Sequence, residues 1–144
     1  MTDREGRTTY YTHGEGSGIV EAGDAEPTTV ATTSLDAFLQ AEGLGRLDYL
    51  NMDCEGAELL VVRGGAGTLR AHAPRIFCEI HHEYLACLGQ SVNDIVVLLR
   101  ALGFQVAPVC VEALDEDVDF EECTHIYAVK NEALPDFRSF AARQ

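Results

Sequence analysis

Four residues in two short stretches carry most of the chemistry that this sequence offers. They are Asp53 and Glu55 in Met52-Asp53-Cys54-Glu55-Gly56-Ala57-Glu58, and Glu79 and His81 in Phe77-Cys78-Glu79-Ile80-His81-His82. A carboxylate and an imidazole brought together can take a proton from a hydroxyl, because imidazole exchanges its proton near neutral pH and is the commonest general base. The same four residues are rich enough in oxygen and nitrogen for Mg2+ or Mn2+, which would make a bound hydroxyl more acidic. Their spacing does not demand a metal, and no metal-ligand set is assigned. His13, His72 and His125 have no ligand spacing. The run Asp115-Glu116-Asp117-Val118-Asp119 lacks the glycine and terminal glutamate of an EF-hand, so it reads as a solvated loop. Cys54 has no basic neighbour in sequence to make it a nucleophile and reads as packing.

The elements that must position these residues follow from punctuation and period. Leu47 to Met52 is a short apolar run between turn signals, as expected of a strand buried on both faces, and it stops at Asp53, turns on Gly56 and enters a helix. In open α/β sheets, ligands sit outside the carboxyl ends of the strands, which would put Asp53 and Glu55 at the mouth of a crevice. A carboxylate there equally suits helix capping, and the sequence leaves the two roles open. Glu58, one turn further on, reads as a helix-dipole or surface charge. The helical stretch from Ala57 to His72 carries Gly64, Gly65 and Gly67, each costing about 1 kcal/mol relative to Ala, which predicts a break near Gly64.

Arg75 to Ile80 reads as a second strand, delivering Glu79, His81 and His82 to its end. Glu79 is expected to be buried within it and to need a partner, either fixing the His81 tautomer or binding a hydroxyl. His82 and Glu83 read as loop. Thr33-Ser34-Leu35-Asp36 and Ser91-Val92-Asn93-Asp94 are capping boxes, opening helices from about Ser34 to Glu42 and from Val92 to Leu102. Phe104 to Val111 and Thr124 to Lys130 are strands expected to pair as a hairpin, with Pro108 pointing to an edge or a bulge. Residues 1 to 34 hold β-prone pieces at Arg7 to Thr12 and Thr28 to Thr32 and read as a peripheral strand and loop region. The chain divides into that region (1–27), an α/β unit (28–132) and a tail (133–144).

Composition narrows the function classes. A chain of 144 residues, 47% hydrophobic, supports one core. Its net charge of -14 argues against a nucleic-acid or anionic-membrane partner. Nothing approaches the ~20 apolar residues of a membrane span, and the polar opening is no signal peptide, so a cytoplasmic protein is expected. Five cysteines without a C-x-x-C pair suit buried thiols in a reducing compartment.

The combination of Thr32-Thr33-Ser34-Leu35-Asp36-Ala37-Phe38-Leu39, Asp53-Cys54-Glu55-Gly56-Ala57-Glu58, Gly64 and Glu79-Ile80-His81 resembles the C-terminal half of the FkbM-type methyltransferases, over about residues 28 to 132. The resemblance implies a Rossmann-like sheet, mostly parallel with a terminal antiparallel hairpin. It also implies S-adenosylmethionine as cofactor and O-methylation of a hydroxyl on a sugar or secondary metabolite. Asp53 and His81 would face that acceptor, Glu79 would bind it and Glu55 would support the turn. The glycine-rich half that such enzymes set against the cofactor is not among these residues. Gly14-Glu15-Gly16-Ser17-Gly18 has the spacing, but no apolar strand precedes it and no long amphipathic helix follows. A fragment or split enzyme is therefore expected, with no cofactor-binding residue assigned and with the Leu47 to Met52 strand offering a free edge to a second copy or a partner chain. Two other classes stay open: a non-catalytic relic or interaction module, and a small divalent-metal-dependent hydrolase.

Overall fold

The computed structural model describes residues 1–12, 17–21, 23–114 and 116–137. In chain order the elements are β1 (Gly6–Thr12), β2 (Glu26–Thr32), α1 (Leu35–Ala41), β3 (Tyr49–Met52), α2 (Glu58–Gly64), α3 (Ala66–His72), β4 (Arg75–Glu79), α4 (His82–Cys87), α5 (Val92–Ala101), β5 (Gln105–Val109) and β6 (His125–Val129). They form a mixed α/β structure with two sheets. β1 and β2 pair antiparallel by themselves; the second sheet has the order β3-β4-β6-β5.

In that second sheet only β3 and β4 pair in parallel, and β4-β6 and β5-β6 are antiparallel. The expectation of a mostly parallel sheet is corrected accordingly. β6 returns from the acidic loop and inserts between β4 and β5, which replaces one parallel neighbour by two antiparallel ones. The expected hairpin is present as β5 and β6, and Pro108 lies in β5 at the end of the strand order, where a missing amide donor is tolerated.

The core lies on one face of this sheet. Leu59, Val61 and Val62 of α2 and Ile95, Val96 and Leu99 of α5 pack with Met52, Ile76, Cys78, Val106, Ile126 and Ala128. Burying each such Leu, Ile or Val contributes about 1.5–3 kcal/mol. Period 2 then sends the intervening residues to the other face, where Tyr49 and Asn51 are exposed. β3 is therefore buried on one face, not two. On that open face Arg75 lies over the Tyr49 ring and pairs with Glu132, and Phe77 stacks on His125 at 4.7 Å.

Local signals explain the helices. Ser91 and Asp94 form a complete capping box on α5. The Ser34 hydroxyl accepts from the Ala37 amide at the start of α1, but Asp36 turns away to accept from the amides of Gly67 and Thr68 at 3.0 and 2.7 Å, capping α3 instead. The long helical stretch does break: α2 ends at Gly64 and α3 begins at Ala66. Gly64 gives up helix propensity for contact, since a Cβ there would run into the Thr2 carbonyl oxygen and the Asp3 backbone. No helix among the described residues is long and apolar enough to cross a membrane.

Candidate functional site

Strand register makes the first juxtaposition. Parallel pairing opposes Met52 to Cys78, so Asp53 leaves β3 beside Glu79, the last residue of β4. Antiparallel pairing sets His125, the first residue of β6, opposite Glu79 on the other side. Two residues beyond Glu79, His81 caps α4, with its carbonyl accepting from the Leu85 amide at 2.9 Å.

The turn from β3 into α2 is built on two successive left-handed residues, Glu55 at φ 49° and Gly56 at φ 94°. Such a conformation costs a residue with a side chain about 1–3 kcal/mol and is retained where the surroundings over-determine it. At position 56 it requires glycine, because a Cβ would also stand 2.7 Å from the Tyr84 Cβ. Gly18 sits close against the Glu55 side chain, where a Cβ would stand 2.9 Å from the Glu55 Cβ. The Gly14 to Gly16 part of the glycine-rich run lies outside the described residues; Gly18 pairs with Tyr11 through backbone hydrogen bonds of 2.8 and 3.1 Å.

Glu58 is the residue that sequence reasoning misplaced. It is the first residue of α2, and its side chain is fully buried rather than on the surface. Its Oε1 accepts from the Gly56 amide at 3.1 Å and faces His81 Nδ1 at 3.0 Å. Oε1 already accepts from the Gly56 amide, so as an acceptor it places the ring hydrogen on Nδ1. That leaves Nε2 directed at three more carboxylates: Glu55 Oε2 at 3.3 Å, Asp53 Oδ1 at 3.6 Å and Glu79 Oε1 at 3.8 Å. Glu79, expected to be buried, has a side chain 44% exposed and also faces His125 Nε2 at 3.9 Å. It ends its strand, where the sheet opens to solvent. His82 and Glu83 begin α4 instead of lying in a loop, and His82 Nε2 meets the Cys123 carbonyl oxygen at 2.8 Å. The missed signal lay in helical period: Glu58 shares the stripe of Val61 and Val62, which points into the core.

Electrostatics at this point are one-sided. Among the described residues, the side chains that pair with Asp53, Glu55, Glu58 and Glu79 as possible cations are His81 and His125; no lysine or arginine does. Burial pushes the Glu55 carboxyl up, His81 pulls it back, and the carboxylates of Asp53, Glu58 and Glu79 leave it above its ordinary value. Burial, reinforced by Glu58, raises the Cys54 thiol, as suits a packed sulfhydryl rather than a nucleophile.

A cavity of about 260 Å³ adjoins the turn, with Asp53, Cys54 and Glu55 on one side and Thr8, Tyr10, Val30 and Thr32 of the β1-β2 hairpin on the other. A second cleft, about 290 Å³, lies past the end of β5 against Pro135 to Phe137, and no histidine among the described residues lines it.

The model of the FkbM methyltransferase domain matches residues 3–106 of the 144. The chain belongs to the FkbM methyltransferase family. Within this FkbM-family chain the match runs from ahead of β1 into β5 and contains the whole Asp53, Glu55, Glu58, Glu79 and His81 cluster. It also takes in the β1-β2 hairpin that walls the cavity. No curated protein and no solved structure matches the chain.

Proposed function

We propose that this FkbM-family chain serves S-adenosylmethionine-dependent O-methylation on a Rossmann-like scaffold, with the acceptor hydroxyl of a sugar or secondary metabolite held where Asp53, Glu55 and His81 meet. The observation that carries this reading is the His81 imidazole clamped by a buried carboxylate, at the strand ends of a methyltransferase-family domain, beside a cavity.

The cofactor's cationic groups fit the residues present. Its sulfonium and amino groups are cationic, and among the described residues the cavity beside the turn offers two carboxylates and no lysine or arginine. At about 260 Å³ the cavity is smaller than the pockets of roughly 300–1,000 Å³ that enclose whole ligands, so it suits part of the cofactor or the acceptor. The free edge of β3, next to Asp53, is where a further strand carrying the remaining surface would join, from a partner chain or a second copy.

When bound, S-adenosylmethionine supplies an electrophilic methyl group and leaves as S-adenosylhomocysteine. The chain's own residues do the rest. Asp53 and Glu79 accept hydrogen bonds from the acceptor and fix its orientation, since displacement at a methyl carbon needs in-line approach. The hydroxyl proton passes to the cluster built on His81, and Glu58 holds that ring in one orientation. Glu55 keeps the turn in its left-handed form.

The test is calorimetric titration of the chain with S-adenosylhomocysteine, which is uncharged at sulfur, and with sinefungin, which carries an amine there. Saturable binding is expected, tighter for sinefungin, with the preference lost in Glu55→Gln. A folded chain that binds neither would overturn the proposal.

A further inference from the structure

We propose that Asp53, Glu79 and His81 form a binding site for a divalent first-row cation of the Mn2+ type, with Asp53 Oδ1, Glu79 Oε1 and His81 Nε2 as its protein ligands. Each of the three residues offers one ligand atom within 4.8 Å of the others, at the converging ends of β3 and β4 and the N-cap of α4. Oxygen and imidazole donors together suit Mn2+ and its neighbours better than Mg2+, which prefers oxygen alone and keeps its waters. With metal–ligand bonds of about 2.1 Å, one ion bridges atoms up to about 4.2 Å apart, so the separations of 3.6 and 3.8 Å from Nε2 need no movement of the ring.

An acidic patch alone would not make a site, and two features separate this one from a patch. The first is the buried Glu58. Its side chain is fully enclosed, Oε2 has no hydrogen-bond partner among the described residues, and Oε1 faces Nδ1 of the same histidine. Metal-bound histidines characteristically donate their second ring nitrogen to a carboxylate, which fixes the tautomer and makes the ligating nitrogen more basic. The second is that Nε2 meets acceptors only. With the hydrogen on Nδ1, the Nε2 lone pair faces Glu55, Asp53 and Glu79, all at 3.3–3.8 Å. Lone pairs facing one another call for positive charge between them. No lysine or arginine side chain among the described residues pairs there.

Asp53, with its side chain 59% exposed, can rotate toward the ion and leaves room for an outside ligand. If the methyl-transfer reading holds, that ligand is the acceptor hydroxyl; Nε2 is then occupied by the metal, and Glu55, 3.3 Å from Nε2, takes the proton. The cation site itself stands on the side-chain geometry alone.

The experiment is titration of the metal-free chain with MnCl2, followed by calorimetry and by the electron paramagnetic resonance signal of free Mn2+, with no cofactor present. One saturable site is expected, with 14N coupling from an imidazole in the pulsed spectrum. Asp53→Asn and Glu79→Gln, both partly exposed and folded by circular dichroism, should each weaken it by roughly ten-fold or more, and Glu58→Gln by about 10–100-fold. Glu116→Gln in the acidic loop should leave it unchanged. Absence of saturable binding by the folded chain, or equal affinity in Asp53→Asn and Glu79→Gln, would overturn the site. Because this titration contains no cofactor, loss of sinefungin binding with Mn2+ binding intact counts against the methyl-transfer reading alone.

Discussion

Between residues 53 and 58 the chain carries three carboxylates in six positions, and between 116 and 122 it carries five in seven. The first group, joined by Glu79, converges on one imidazole with Glu58 fully buried. In the second, Asp119 accepts from the amides of Glu121 and Glu122, and Glu121 accepts from Asn93, all in solvent. What divides them is their backbone. The turn after β3 aims its side chains across a strand end toward β4, whereas the loop wraps Val118 and Phe120 inward and its acids outward. Acid content therefore marks no site here; convergence on a fixed partner does.

The turn after β3 is the most sensitive point of the acid cluster. Gly56→Ala should destabilise the fold by about 3 kcal/mol, combining the left-handed backbone cost with overpacking against Tyr84. A thermal melt would show it, and an unchanged melt would mean the turn is not the constraint described. Next in size, Glu58→Ala should cost about 2–3 kcal/mol, because it removes the buried acceptor of both the Gly56 amide and His81 Nδ1. The matching change in the loop, Glu116→Ala, should stay within about 0.5 kcal/mol. Equal losses at the two positions would erase the distinction between the regions.

Asp36 offers a third kind of acid, held by amides rather than by imidazole. Burial raises its carboxyl, but the Thr68 hydroxyl, the amides of Thr68 and Gly67, and Arg70 outweigh this and leave it below its ordinary 3.8. Its contribution is then fully present above the unfolded value and is lost as pH falls through the lower folded one. Asp36→Asn should cost about 1 kcal/mol at neutral pH, as loss of a cap does, and denaturation curves of variant and parent should converge below pH 3.8. A difference that persisted in acid would point to shape rather than charge.

Much of this arrangement was legible in the residues. The strand-to-turn signal at Asp53 to Gly56, the break after Gly64, the capping box at Ser91 and the β5-β6 hairpin all rest on local rules, and each is present. What resisted was depth. Glu58 and Glu79 exchanged their expected environments, because burial depends on which helix stripe meets the core and where a strand ends at the sheet margin. Likewise Leu47 to Met52 looks apolar enough to be covered twice, yet Tyr49 and Asn51 face away from the helices. The pairing of β6 between β4 and β5 is a tertiary choice that no local period encodes.

Glu58 holds His81 with Nε2 turned toward Asp53, Glu55 and Glu79. Long-range 1H–15N NMR of the histidine rings reads it directly. A hydrogen on Nδ1 of His81 is expected, in a resonance that shifts on Glu58→Gln while those of the other histidines do not. A neutral His81 ring with its hydrogen on Nε2 and a bare Nδ1 would contradict it.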